Sequence, residues 1–188
     1  MKIFIYILFA ILSFQPSVSF ADADGKIWEK LKNGGLVVLV RHTSTVKKDN
    51  PLLRDPSCLK ERKLSEKGKK EAARIGKMFT AKGAPIEKIL TSPYCRTTDT
   101  AKIAFGSGQP VEFLSVLEAL PQKQAEANTD QLTQKIGSYS GSGNLILVTH
   151  APNINAVSFE TVEMGAFLVL RPKGGQEFEE IGKINLAY

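Results

Sequence analysis

Two short runs in this chain contain only leucine, isoleucine and valine: Leu36-Val37-Val38-Leu39-Val40 and Leu145-Ile146-Leu147-Val148. Branched apolar runs of this kind read as strands covered on both faces, as in a parallel sheet flanked by helices. The first continues into Arg41-His42 and the second into Thr149-His150, and these are the only two histidines of the chain. A third segment, Ile89-Leu90-Thr91-Ser92-Pro93-Tyr94-Cys95-Arg96, repeats the order of strand, sharp stop and cation. In an open α/β sheet, ligands bind in the crevice outside the carboxyl ends of the strands. Three such ends can gather His42, His150, Arg41 and Arg96 around one point, a set suited to a phosphoryl group.

The rest of the chain alternates helical and extended patterns. Ile27, Trp28 and Leu31 share a face of a helix over 26–32, which Asn33-Gly34-Gly35 ends. Ser65 caps a helix to about Ala81, with Ala72, Ile75, Gly76 and Phe79 on one face. A strand covers 88–91, and Ser92 as N-cap with Pro93 in the first turn opens a helix to about Phe105. A short strand over 111–114, a weaker helix over 129–138, a helix opened by Pro152, and edge strands over 166–170 and 179–186 complete the pattern. Strands alternating with helices imply βαβ units and a mainly parallel sheet. Residues 44–63, polar and containing Pro51 and Pro56, form a long aperiodic stretch of the kind that is usually functional.

Residues 1–21 carry Lys2, an apolar core over 3–12, a break at Pro16, and small residues at Ser19 and Ala21. This reads as a cleaved secretory signal, with cut sites after Ala21 or Ala23, leaving one domain over 24–188. The apolar run is too short to serve as a permanent span, so no stable membrane span is expected after cleavage, and the expected location is periplasmic or secreted. The net charge is +6, or +5 without Lys2. Its lysines are scattered and lack interleaved aromatics, which argues against nucleic-acid binding and leaves small anionic ligands as the expected partners. In an oxidising compartment the two cysteines, Cys58 and Cys95, are expected to bridge, stabilising the fold by about 4 kcal/mol in a chain-entropy estimate. Such a bridge would pin 44–63 beside the proposed site. Neither cysteine has a closely spaced Cys or His partner, so no metal site is expected.

A neutral imidazole is a competent nucleophile toward phosphorus near neutral pH, and His42 is the candidate. Phosphoryl transfer spreads charge over three equatorial oxygens, which the forks of Arg41 and Arg96 can hold while His150 neutralises another oxygen. Leu39-Val40-Arg41-His42, Leu64-Ser65-Glu66-Lys67-Gly68, Thr91-Ser92-Pro93-Tyr94-Cys95-Arg96 with Thr100-Ala101, and Val148-Thr149-His150 stand in the order found in the histidine phosphatase superfamily, also called phosphoglycerate mutase-like. The chain resembles that family across nearly all of its mature length. The resemblance implies a three-layer α/β/α sandwich, a phosphohistidine on His42, a phosphate pocket from Arg41, Arg96 and His150, and no metal or organic cofactor. Asp55-Pro56-Ser57-Cys58, Cys95-Arg96 and His150-Ala151-Pro152-Asn153-Ile154 resemble an exported bacterial branch that includes lipopolysaccharide core heptose phosphatases, so a lipopolysaccharide-derived phosphate is one expected substrate.

Two departures from the family pattern stand out. Thr43 replaces the glycine usual after Arg-His and could narrow the pocket or offer a hydroxyl to substrate. Glu118, in Ser115-Val116-Leu117-Glu118-Ala119-Leu120, is the nearest match to the family's general acid, since Ala151 stands where other relatives carry an Asp. The leading expectation is a phosphomonoester hydrolase working through phosphohistidine. The alternative is a phosphate-binding protein that keeps the pocket without turnover, and a mutase is a weaker enzymatic reading. Specificity is expected from 44–63 and 118–130, and neither the natural substrate nor the oligomeric state is written in these motifs.

Overall fold

The computed structural model describes residues 20–48 and 50–186. Residues 1–19 of the expected leader lie outside that range, and its expected cut sites, after Ala21 or Ala23, fall within the backbone of α1 (Phe20–Lys32). Among the described residues no helix is long and apolar enough to cross a membrane.

One six-stranded sheet organises the chain: β1 (Val37–Arg41), β2 (Ile86–Thr91), β3 (Gln109–Pro110), β4 (Asn144–Thr149), β5 (Phe167–Gly174) and β6 (Glu177–Ile184). Their order is β3-β2-β4-β1-β5-β6. The first four run parallel, and β5 and β6 add an antiparallel hairpin at one edge. Every residue of β4 and the first four of β1 are buried, because both strands are interior and covered on two faces.

The two-residue period of the strands sorts their side chains into two cores. Val38, Val40, Ile146, Val148, Phe167 and Val169 face one side and pack on α1, α2 (Glu66–Lys82) and α3 (Cys95–Phe105). Trp28 meets the Phe79 and Phe167 rings edge-on there, at centroid distances of 5.2 and 5.8 Å. Val37, Leu39, Leu145, Leu147, Leu168 and Leu170 face the other side, under α4 (Gln122–Gly137) and α5 (Ala151–Asn155). The result is a three-layer α/β/α sandwich.

Local chemistry fixes the joints that matter for the site. Ser65 Oγ accepts from Gly68 N at the start of α2, as the cap pattern requires. Gly68 lies against the Ser44 carbonyl, where a Cβ would collide with backbone. Asn144, fully buried, accepts from Leu36 N and donates to Leu31 O and Pro85 O, tying β4 to α1 and to the approach of β2.

Three sequence expectations change. The helix after β2 begins at Cys95 with Tyr94 as N-cap, two residues later than a Ser92 cap predicts, because Ser92 Oγ accepts from Tyr94 N in a turn ahead of the helix as well as from His150. The expected strand over 111–114 is a 3₁₀ turn, Glu112–Leu114, and the parallel edge pairing is limited to Gln109–Pro110. Most of 118–130, expected to be irregular, belongs to α4: it starts at Gln122, with a first turn of Gln, Lys and Ala that carries no apolar periodicity to read.

Candidate active site

Parallel register places the two histidines. Arg41 pairs with Thr149, so the residues immediately beyond, His42 and His150, leave neighbouring strands side by side, and His42 N donates to Thr149 O. Their ring centroids are 5.5 Å apart. Both line a cavity of about 320 Å³ together with Arg41, Arg62 and Arg96. The expected convergence of Arg41, His42, Arg96 and His150 is what the structure shows. Arg41 and the following His42 both line this crevice, Arg41 with its Nη1 donating to Val162 O at 2.9 Å.

The hydrogen bonds assign tautomers. His42 Nδ1 lies 2.9 Å from the Thr43 carbonyl oxygen, which can only accept, so Nδ1 carries the proton and Nε2 keeps its lone pair. Arg96 Nη2 can only donate, so His150 Nδ1, 3.2 Å away, is the acceptor and Nε2–H donates to Ser92 Oγ at 2.8 Å. Burial lowers the pKa of His42 to about 3, and the charges of Arg96, Arg62 and Arg41 add to that effect. His150 is driven well below the usual histidine range by burial first and by Arg96 next. Both rings are therefore neutral near pH 7.

The guanidiniums are held with donors to spare. Arg96 is 1% exposed on the first turn of α3, and its Nε and Nη1 have no partner; Arg41 Nε and Arg62 Nε are likewise buried without one. Buried, unpaired donors are costly unless something accepts from them. Burial, followed by the charge of Arg62, lowers the pKa of Arg96 to about 10, which leaves it charged at neutral pH. An oxyanion between the three arginines would satisfy these groups.

Residues 44–63 form a strap that closes one side of the site. Its ends meet at a bridge between Thr45 and Leu64, which brings Arg62 to the cavity. Arg62 was not singled out by sequence reasoning; the available signal was an arginine three residues before the Ser65 cap, inside the long aperiodic stretch. Cys58 and Cys95 are joined as expected, with Cα atoms 5.8 Å apart. Glu61, 1% exposed, accepts from both Asp55 N and Cys95 N, and Tyr94 OH donates to Leu52 O.

Two expected site residues lie elsewhere or at the margin. Thr43 does not reach the cavity: its hydroxyl is 3.2 Å from Thr100 Oγ1 and its amide donates to the same oxygen, which commits it to α3. Its part is to anchor that segment on α3. Glu118 lines the cavity from the 3₁₀ turn Leu117–Ala119, as an exposed residue of its rim.

Doubly wound layers, strand-end imidazoles and a ring of guanidiniums define an α/β protein with a cavity suited to an oxyanion. Residues 37–126 match the family model of the Histidine phosphatase superfamily (branch 1). Similar solved structures agree on the fold. The protein histidine phosphatase SixA complexed with tungstate is 14% identical, with a TM-score of 0.58 over 79% of this chain and 96% of its own. YhfR of Bacillus stearothermophilus is 17% identical, with a TM-score of 0.59 over 77% and 94%. TTHB049 of Thermus thermophilus is 16% identical, with a TM-score of 0.57 over 80% and 99%. Among curated proteins, none matches the sequence.

Proposed function

We propose that this chain is an exported phosphomonoesterase that passes the phosphoryl group through His42. The observation that carries the reading is the His42 Nδ1–H bond to Thr43 O, which leaves an uncharged Nε2 in a cavity with unpaired guanidinium donors. Nε2 attacks phosphorus, the N–P bond forms as the ester P–O bond breaks, and Glu118 gives its proton to the leaving oxygen. Water then attacks phosphorus, Glu118 takes its proton back, and the N–P bond breaks to release phosphate and restore His42. Arg41, Arg62 and Arg96 hold the equatorial oxygens through both steps, supplying the positive charge from the chain's own side chains without a metal or organic cofactor. When the dianion binds, Arg96 Nη2 leaves His150 Nδ1 for a phosphoryl oxygen, and Nδ1 takes up a proton from solvent, favoured by the anion's charge, and donates to another phosphoryl oxygen.

The Cys58–Cys95 bridge is compatible with an oxidising compartment and supports the export reading. The substrates to test are small phosphorylated anions, lipopolysaccharide-derived phosphates among them. The experiment is hydrolysis of an aryl phosphate with rapid acid or alkaline quench. Wild-type protein is expected to release phosphate and to show a protein-bound phosphate that is labile in acid and stable in base, and His42→Ala to lose both while keeping its circular dichroism. Saturable phosphate binding with no trapped phosphoprotein would instead identify a binding protein.

A further inference from the structure

The cavity has two chemically different ends. Its floor is the buried set His42, Arg96 and His150. Its mouth is made of less buried groups, and several of these are apolar: Pro51 and Leu52 from the strap, Ala151 and Pro152 from the start of α5. Arg41 and Arg62, both part-buried, and Glu118 and Asn155, both exposed, are the polar side chains that line the cavity beside them.

The strap side of the mouth is fixed in place. Leu52 O accepts from Tyr94 OH at 3.0 Å, and Tyr94 is buried, with its ring 5.2 Å from that of His150 and the Arg96 guanidinium 4.5 Å from its centroid. The disulfide and the bond from Cys95 N to Glu61 fasten the same strap to the first residue of α3, and the bond from Asp55 N to Glu61 ties the strap to itself. Leu52 is thus positioned by the same side chains that position the floor. A wall held this way can discriminate between ligands, because it does not relax around each one.

A phosphoryl group on the floor leaves its ester substituent in the mouth. A polyhydroxylated substituent would set some of its hydroxyls against the side chains of Leu52, Pro51 and Pro152, which offer them no partner, and that costs free energy. A flat apolar ring would bury its face there instead. We infer that the mouth is a leaving-group subsite for an aromatic ring carried on the phosphate, and that Leu52 is its specificity-determining residue. The inference rests on the phosphoryl reading of the floor. It also sets this site apart from the polyol face of a heptose phosphate.

Calorimetry with phosphonates, which are not hydrolysed, tests this without turnover. The probes are 2-phenylethylphosphonate, 3,4-dihydroxybutylphosphonate, and methylphosphonate as a reference for the floor alone. Wild-type protein is expected to bind the phenyl compound about tenfold more tightly than the diol, the scale of one good apolar contact. Leu52→Asn is expected to bring that ratio near unity with methylphosphonate affinity unchanged, and Leu52→Ala to fall between. Equal affinities in the wild type, or an unchanged ratio in both folded variants, would overturn the subsite while leaving the floor intact. Failure of all three probes, methylphosphonate included, would overturn the floor and the subsite together.

Discussion

At the scale of single residues, the site is an arrangement of protons as much as of charges. His42 and His150 are both neutral, yet their protons sit on opposite kinds of nitrogen: Nδ1 in His42, Nε2 in His150. Ser92, fully buried, is what holds the second of these. It accepts the Nε2 proton and so keeps Nδ1 toward Arg96 and the cavity floor. Ser92→Ala is expected to lower kcat/KM for an aryl phosphate by about 10- to 100-fold, the range seen when a partner orienting a functional histidine is removed, with Ser92→Thr recovering part of it. A role confined to packing would leave the alanine variant nearly as active as the threonine one. The sequence pointed to both histidines, Arg41 and Arg96, since strand-end positions are visible in the order of residues. It did not reveal the tautomers, the turn of Thr43 toward Thr100, or Arg62. Those depend on which carbonyl or hydroxyl lies across a gap between distant segments, and no spacing encodes that.

At the scale of elements, legibility followed periodicity. β1 and β4 were plain because interior strands carry apolar residues at every position, and α2 was plain because its apolar stripe and Ser65 cap agree. α4 was only half visible, since its first turns lack an apolar stripe, and β3 is too short to show a period. The joints between elements rely on buried polar groups, of which Asn144 links three. Asn144→Leu removes the amide and leaves Leu36 N facing an apolar group, while Pro85 O keeps the residue-144 backbone N–H and Leu31 O keeps Gly34 N. The expected cost is about 1 to 3 kcal/mol in denaturant unfolding with an unchanged m-value, the cost of one orphaned buried donor. A loss within experimental error would show that water replaces the amide at that joint.

At the scale of the whole molecule, two uncharged imidazoles sit among three arginines. The unfolded chain takes up protons on these histidines near pH 6.5, whereas folded His42 does so only near pH 3, because burial and then the neighbouring guanidinium charges oppose it. The unfolded state therefore binds more protons between these values, and stability falls as pH drops through that window while staying level above it. Melting temperature is expected to decline from pH 7 to pH 4, and the decline to be shallower in His42→Gln. Inorganic phosphate should raise the melting temperature at pH 7, as any ligand of the native state does. A flat profile in the wild type would show that the imidazoles are not held neutral by the fold.

The cross-link at Cys58 carries one more implication, for chain connectivity. Lys60 is exposed on the strap, inside the covalent loop that the bridge closes. A protease cut after Lys60 would divide the backbone into two pieces, one bearing His42 and the other bearing His150. Sulfur would still hold them as one molecule, with Cys95 next to Arg96 as the point of attachment.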